Sequence, residues 1–114
     1  MAWIKKLFAD YLAYLEIEKN RSPKTRENYE RYLSKFFEFA KIDAPENIDE
    51  DLVRSFRVDL AKKNIKKITQ AYYVITIRNF LKYLAKRDIP SLSAEKIELP
   101  KINRRDIEVI EYKD

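Results

Sequence analysis

The amino-acid sequence predicts an all-α fold. Apolar residues recur at spacings of three and four in four separate segments, which is the pattern of amphipathic helices. Two of these segments also begin with residues that favour a helix start. The 114 residues include no glycine, so the helix ends have to use asparagine, lysine or proline instead. A chain of this length is expected to form one domain.

The first helix is predicted over residues 2–19. Asn20 follows it, and asparagine tolerates the left-handed conformation that often ends a helix. The apolar positions of this segment recur at helical spacing and comprise Ile4, Leu7, Phe8, Tyr11, Leu12 and Leu15.

The second helix has a sharply defined start. Ser22 suits the N-cap and Pro23 suits the first helical position. The helix is expected to end near Lys41, because the residue before Pro45 is disfavoured in helical conformation. Its apolar stripe is formed by Tyr29, Leu33, Phe36, Phe37 and Ala40.

Two further helices are predicted. The third begins at Asp49, which can cap it, and runs to about Lys63. Its inward side chains are Val53, Phe56 and Leu60. The fourth spans roughly 67–87, and its wide apolar stripe favours a central position in the fold. That stripe comprises Tyr73, Val74, Ile77, Phe80, Leu81 and Leu84.

The remainder of the chain, from Ile89 to Asp114, sustains no helical period. Weak alternation over residues 107–112 is compatible with a short strand. We therefore expect a helical domain over residues 1–88, followed by an extended linker over residues 89–114.

The charge balance is moderately basic, with 24 lysines and arginines against 19 acidic residues and a formal net charge of +5. Such an excess is compatible with nucleic acid, an acidic partner or an anionic surface. The total does not distinguish these partners, so the distribution of charge on each helix is more informative.

Three missing residue types exclude several classes of site. Without cysteine there are no disulfides and no thiolate chemistry, and without histidine the commonest general base is absent. A zinc or copper site is disfavoured by both absences. Without glycine no P-loop or dinucleotide fingerprint is possible. The sequence favours a binding module over an enzyme, with no cofactor, no metal and no small-molecule substrate.

The N-terminus does not resemble a targeting segment. Lys5 and Lys6 interrupt any apolar run immediately, and no stretch approaches the roughly 20 apolar residues of a membrane span. The sequence therefore predicts no membrane partner and a cytoplasmic location.

The outward face of the second helix carries a row of polar and basic residues. A helical projection places Lys24, Asn28, Arg31 and Lys35 nearly opposite the apolar stripe, with Thr25 and Tyr32 on one flank. Such a row can contact phosphates and base edges of nucleic acid. The alternative is an ordinary solvated face with charge pairs along the helix, which is the commoner role of charged faces.

The start of the fourth helix repeats this combination of threonine and basic residues. Phosphate is favoured at the positive end of a helix, where Thr69 and its neighbours would lie. Tyr72 lies off the apolar stripe, so it either packs on a sugar or base or packs against the neighbouring helix. The candidate contacts at this start are Lys66, Lys67, Thr69, Gln70 and Tyr72.

Three phrases of the sequence together resemble a known family. They are LEIEKNRSPKTRENYERYLSKFFEF over residues 15–39, TQAYYVITIRNFLKYL over residues 69–84, and IELPK over residues 97–101, followed by Arg104 and Arg105. In this order they resemble the N-terminal core-binding domain of tyrosine recombinases of the Xer and phage-integrase type. The chain departs from the family pattern at Lys66, where a serine cap is usual, and at Tyr72 and Tyr73, where arginines are usual.

The resemblance implies a four- to five-helix SAM-like orthogonal bundle that binds double-stranded DNA. It implies that the second and fourth helices cross in the major groove, and that a catalytic domain lies on the opposite DNA face. The tyrosine nucleophile and its partners would belong to that domain, so these 114 residues are expected to bind DNA without cleaving it. The candidate DNA contacts are Lys24, Thr25, Asn28, Arg31, Lys35, Lys66, Lys67, Thr69, Gln70, Tyr72, Arg104 and Arg105.

A second interpretation of the same resemblance is open. Family members also pack against neighbouring recombinase protomers through this domain, so the chain is alternatively a helical protein-interaction module. The effect of salt distinguishes DNA binding from protein interaction. Several phosphate contacts make DNA binding strongly salt-dependent, whereas an apolar contact between helices does not depend strongly on salt.

Overall fold

A computed structural model describes residues 2–99 of the chain. Within that range the architecture is all-α, as the sequence predicts, with four α-helices, two short 3₁₀ turns and no strand. The α-helices are α1 (Ala2–Ile17), α2 (Pro23–Ala40), α3 (Glu50–Lys62) and α4 (Lys67–Lys86), and the 3₁₀ turns are Pro45–Asn47 and Ala94–Lys96. None of these helices is long and apolar enough to cross a membrane.

Two of the predicted helix caps are confirmed. The hydroxyl of Ser22 accepts a hydrogen bond from the Thr25 N–H at 3.1 Å, and Asp49 Oδ1 accepts one from the Leu52 N–H at 2.8 Å. These bonds satisfy helix N–H groups that have no partner inside the helix. Lys66 precedes α4 without any side-chain cap, so α4 begins on backbone geometry alone.

Four residues in left-handed conformation follow the four α-helices. They are Asn20, Lys41, Asn64 and Asp88, with φ between 51° and 59°. Asparagine and aspartate tolerate this region better than most residues, and the chain has no glycine to place there. The prediction for Asn20 is confirmed. The α1 helix ends at Ile17 rather than residue 19, because the Glu18 and Lys19 N–H groups both bond to the Tyr14 carbonyl.

The core is a single cluster built largely from the predicted apolar stripes. Edge-to-face aromatic pairs connect the helices, with ring centroids 5.2 Å apart for both Phe36–Phe56 and Tyr11–Phe80. The central position predicted for α4 is confirmed, since it packs against α2, α3 and the Ala94–Lys96 turn. Its stripe is wider than predicted, because Ala71, Thr76 and Tyr83 are also buried.

The segment after α4 differs from the extended linker that the sequence predicts. Ala94 and Ile97 are buried in the core, and the Arg78 guanidinium donates to the Ala94 carbonyl at 3.2 Å. A 3₁₀ turn of three residues is too short to produce a helical repeat of apolar residues. The sequence pattern therefore did not predict this packing. The segment from Ala94 to Ile97 therefore packs against the helices. The predicted strand at 107–112 lies outside the described residues, and the domain boundary stays a prediction.

Candidate nucleic-acid interface

The outward face of α2 presents three exposed basic side chains, Lys24, Arg31 and Lys35. In the described part of the chain, no carboxylate lies within 4 Å of their charged nitrogens. Elsewhere ordinary pairs do form along a helix, such as Arg26–Glu30 at 3.6 Å and Lys63–Asp59 at 3.1 Å. Over residues 2–99, this row therefore lacks the charge pairs of the solvated-face alternative, and we call it the α2 row.

Two residues predicted for the same face lie inside the protein. Thr25 is 0% exposed, and its hydroxyl accepts a hydrogen bond from the Ser22 hydroxyl at 3.0 Å. Asn28 is only 8% exposed. The helical projection placed Asn28 nearly opposite the apolar stripe and Thr25 on one flank, but packing of the folded chain covers both side chains. Their assignment as DNA contacts stays a prediction, although little of either side chain reaches the surface.

The start of α4 carries two exposed lysines, Lys66 and Lys67, while Thr69 is half-buried. Gln70 has an internal role, because its amide Nε2 donates to the Ile65 carbonyl at 2.7 Å and stabilises the turn before the helix. Of the candidates at this start, the two lysines are therefore the most accessible.

Tyrosine rings connect α2 to the first turns of α4. The ring of Tyr32 lies 5.1 Å from that of Tyr72 and 4.6 Å from that of Tyr73. For Tyr72 the packing against a neighbouring helix is therefore observed, although the residue stays partly exposed. The Arg31 guanidinium lies over the Tyr32 ring at 4.9 Å, in cation–π geometry. These contacts hold the α2 row beside the start of α4.

At this junction burial is the largest influence on the ionisation of Tyr73, and the nearby cations partly oppose it. Burial and the neighbouring Tyr32 raise the pKa of Tyr73, while Arg31 and Lys63 oppose that rise. Lys35, Lys63 and Tyr73 also line one cleft of about 400 Å³, with Glu38 and Asp59. Two cations and two carboxylates therefore line this cleft, so its formal charges balance.

The last two candidate DNA contacts, Arg104 and Arg105, lie outside the described residues. Over residues 2–99, no group of three acidic, histidine or cysteine side chains is arranged to hold a metal ion.

Comparison with known proteins identifies the fold family. Residues 8–88 match the family described as phage integrase, N-terminal SAM-like domain. The chain belongs to this family. The matched range contains α2, α3 and α4 completely, together with the second half of α1. The SAM-like fold that the resemblance implied is thereby confirmed.

Several curated relatives of this SAM-like domain are named tyrosine recombinase XerC. The protein from Syntrophus aciditrophicus is 30% identical over 110 residues, which is 87% of this chain and 36% of the relative. That from Thermodesulfovibrio yellowstonii is 32% identical over 75 residues, covering 66% of this chain and 25% of the relative. The protein from Escherichia coli O157:H7 is 30% identical over 98 residues, which cover 82% of this chain and 33% of the relative.

The chain spans between a quarter and about a third of the length of these relatives. No solved structure matches the chain significantly.

Sequence reasoning about this SAM-like domain missed the role of Tyr32. The helical projection placed it on the polar flank beside Thr25, whereas it is buried and contacts both Tyr72 and Tyr73. The sequence does show tyrosines on both α2 and α4, and buried aromatic residues commonly pack in pairs. Nothing in the sequence alone, however, pairs a residue of α2 with a particular residue of α4.

Proposed function

We propose that this chain is the DNA-binding domain of a site-specific tyrosine recombinase, and that it grips duplex DNA with α2 and α4 in the major groove. The observation that carries the proposal is the α2 row of Lys24, Arg31 and Lys35, which is exposed and has no carboxylate partner within residues 2–99. Cations aligned on one helix face can bind phosphates along a groove. Lys66 and Lys67 extend the positive surface at the start of α4.

Strand cleavage is assigned in this proposal to a catalytic region outside these 114 residues. The relatives are named tyrosine recombinases, and the match covers only part of each. A tyrosine nucleophile needs a neighbouring group to accept its proton, and this sequence contains neither histidine nor cysteine. The 114 residues therefore bind DNA and leave the phosphoryl transfer to that region.

The test is a titration of a fluorescent duplex with the full chain at low and high salt. We compare the wild type with the triple variant Lys24→Gln, Arg31→Gln, Lys35→Gln. A control variant, Lys5→Gln, Lys6→Gln, Lys62→Gln, removes the same charge from exposed positions of α1 and α3.

We expect salt-sensitive binding by the wild type and by the control, and at least a tenfold weaker affinity for the α2-row variant. Removing one phosphate contact lowers the slope of log affinity against log salt by about 0.9, so the slope identifies phosphate contacts directly. Equal affinities for the two variants would contradict the proposed face. Absent binding by the folded wild type would contradict DNA binding by this chain alone.

A protein-interaction role has one observation in its favour. Phe39 and Val58 are 38% and 47% exposed, and both line a cleft between the end of α2 and α3. Exposed apolar side chains that share one surface are typical of protein contacts. Self-association that persists at high salt and is abolished by Phe39→Ser, Val58→Ser in sedimentation velocity would support contacts between recombinase protomers. A monomer at high protein concentration would count against self-association.

A further inference from the structure

A basic cleft lies where the turn between α1 and α2 meets the second half of α4. Its volume is about 210 Å³. Four cationic side chains line it, and the remaining lining is aromatic, aliphatic or amide. The lining residues are Lys19 and Arg21 from the turn, Asn79, Lys82, Tyr83 and Lys86 from α4, and Tyr14 and Leu15 from α1.

Local geometry of both segments brings the cations together. Asn20, in left-handed conformation with φ of 51°, reverses the chain so that the Arg21 N–H bonds to the Leu15 carbonyl at 2.9 Å. On α4, Asn79, Lys82 and Lys86 are three and four residues apart, so they share one face of the helix. The turn therefore faces a basic ridge of α4 across the cleft.

The four cations of the cleft are not neutralised by carboxylates at close range. Over the described residues, no acidic oxygen lies within 4 Å of the charged nitrogens of Lys19, Arg21, Lys82 or Lys86. Lys86 is instead positioned by Tyr14, with Nζ 3.5 Å from the hydroxyl and 5.4 Å from the ring centre. Positive charge thus accumulates in the cleft.

No acidic residue is among those that line the cleft. Burial raises the pKa of Tyr83, and Asp10 and Glu18 add to that rise while Arg87 opposes it. These two carboxylates are therefore close enough to act on Tyr83, but neither lines the cleft. The balance at the cleft remains positive.

A neutral hydrogen-bond donor completes the lining. The hydroxyl of Tyr11 donates to Oδ1 of Asn79, and burial raises the pKa of Tyr11, so this hydroxyl keeps its proton. With its oxygen engaged, Asn79 retains an amide nitrogen that has no acceptor among the described residues. The cleft thus combines four positive charges with one oriented amide donor, which suits an anion with several oxygens.

We propose that this basic cleft binds one backbone phosphate of duplex DNA and so extends the interface beyond the α2 row to the turn between α1 and α2. The inference rests on the proposed DNA binding. DNA is the expected source of the phosphate because Arg21 of the cleft precedes Lys24 of the α2 row by only three residues. The cleft is therefore continuous in sequence with the N-terminal end of the α2 row. A contact of this kind fixes the position of the protein on DNA without reading bases.

Two measurements on the full chain test the inference. The first is an NMR titration with inorganic phosphate, following the backbone amide of Arg21 and the side-chain amide of Asn79. The second is the duplex titration at several salt concentrations with Arg21→Gln, Lys82→Gln, which removes one cation from each wall. The matched control is Lys5→Gln, Lys6→Gln, which removes equal charge from a part of α1 about 14 Å along the helix axis from the cleft.

We expect phosphate to shift both resonances in the wild type and to leave the Asn79 resonance unshifted in the cleft variant. On DNA we expect the cleft variant to bind several-fold more weakly, with the salt slope reduced by about 0.9, the value for a single phosphate. The control should retain the wild-type slope.

Three results would overturn the inference, and they separate it from the proposed function. If the α2-row variant fails to bind DNA while the cleft variant matches its control, DNA binding stands and the cleft contact is wrong. If phosphate shifts the cleft resonances but the wild type does not bind the duplex, the assignment to DNA fails together with the proposed function. If phosphate shifts neither resonance, the cleft is not an anion site.

Discussion

Adjacent residues of one motif have opposite roles in this protein. Lys24 is exposed on the α2 row, whereas Thr25 is enclosed and bonded to the Ser22 hydroxyl. Ser22 in turn caps α2, so the motif's serine and threonine form a structural unit at the helix start. The family motif therefore places a folding element directly beside an exposed cation within four residues, and the resemblance alone did not separate the two.

Phe36 provides a test of the core at the scale of one residue. It is 0% exposed and packs edge-to-face on Phe56, so Phe36→Ala is expected to lower the free energy of unfolding by about 3–5 kcal/mol. The matched control on the same helix is Phe39→Ala. Phe39 is 38% exposed, so its truncation should lower the free energy of unfolding much less. Urea denaturation followed by circular dichroism measures both, and equal losses would contradict the position of Phe36 in the core.

The helices themselves were largely predictable, and their mutual contacts were not. Caps at Ser22 and Asp49 and the apolar periodicity predicted α2, α3 and α4 to within one or two residues. These signals are local, so the sequence displays them directly. The burial of Asn28, the Tyr32 contacts and the packing of the segment from Ala94 to Ile97 depend on partners distant in the sequence. The part of the candidate site that lies on the exposed face of a single helix was therefore predictable. The contacts between helices were not.

The junction of α2 and α4 can be tested by a double-mutant cycle. Tyr32→Leu and Tyr72→Leu each keep apolar bulk but remove one ring of the pair whose centroids lie 5.1 Å apart. We expect a coupling free energy of about 0.5–1.5 kcal/mol, as for other aromatic pairs. The four proteins of the cycle are compared by urea denaturation. Strictly additive effects would show that the two rings do not stabilise one another.

Among residues 2–99, the side chains whose pKa differs clearly from its ordinary value are mainly tyrosines. No histidine is present, so no side chain has the ordinary pKa near neutrality that makes histidine a switch. Burial raises the pKa of Tyr11, Tyr73 and Tyr83. The folded protein therefore holds these phenols in the neutral form more firmly than the unfolded chain does.

The sign of the resulting pH dependence follows from that difference. A group whose pKa is raised on folding stabilises fully below its unfolded pKa, which is about 10 for tyrosine, and its contribution declines as the pH rises further. We expect the urea midpoint to fall as the pH is raised beyond about 10. Tyr11→Phe removes the most deeply buried of the three phenols, so the fall should become shallower in that variant. An identical fall would assign the alkaline destabilisation to other groups.

The residues in left-handed conformation at the helix ends are positions where substitution can increase the free energy of unfolding. Lys41 has φ of 52°, a conformation that is strained for a side chain with a β-carbon and relaxed for glycine. Lys41→Gly is expected to raise the free energy of unfolding by about 0.5–1 kcal/mol, whereas Lys62→Gly, inside the last turn of α3, should lower it by about 1 kcal/mol. Thermal denaturation of the two variants should therefore shift in opposite directions. A more heat-resistant form of this domain is thus accessible without altering any residue of the α2 row or the basic cleft.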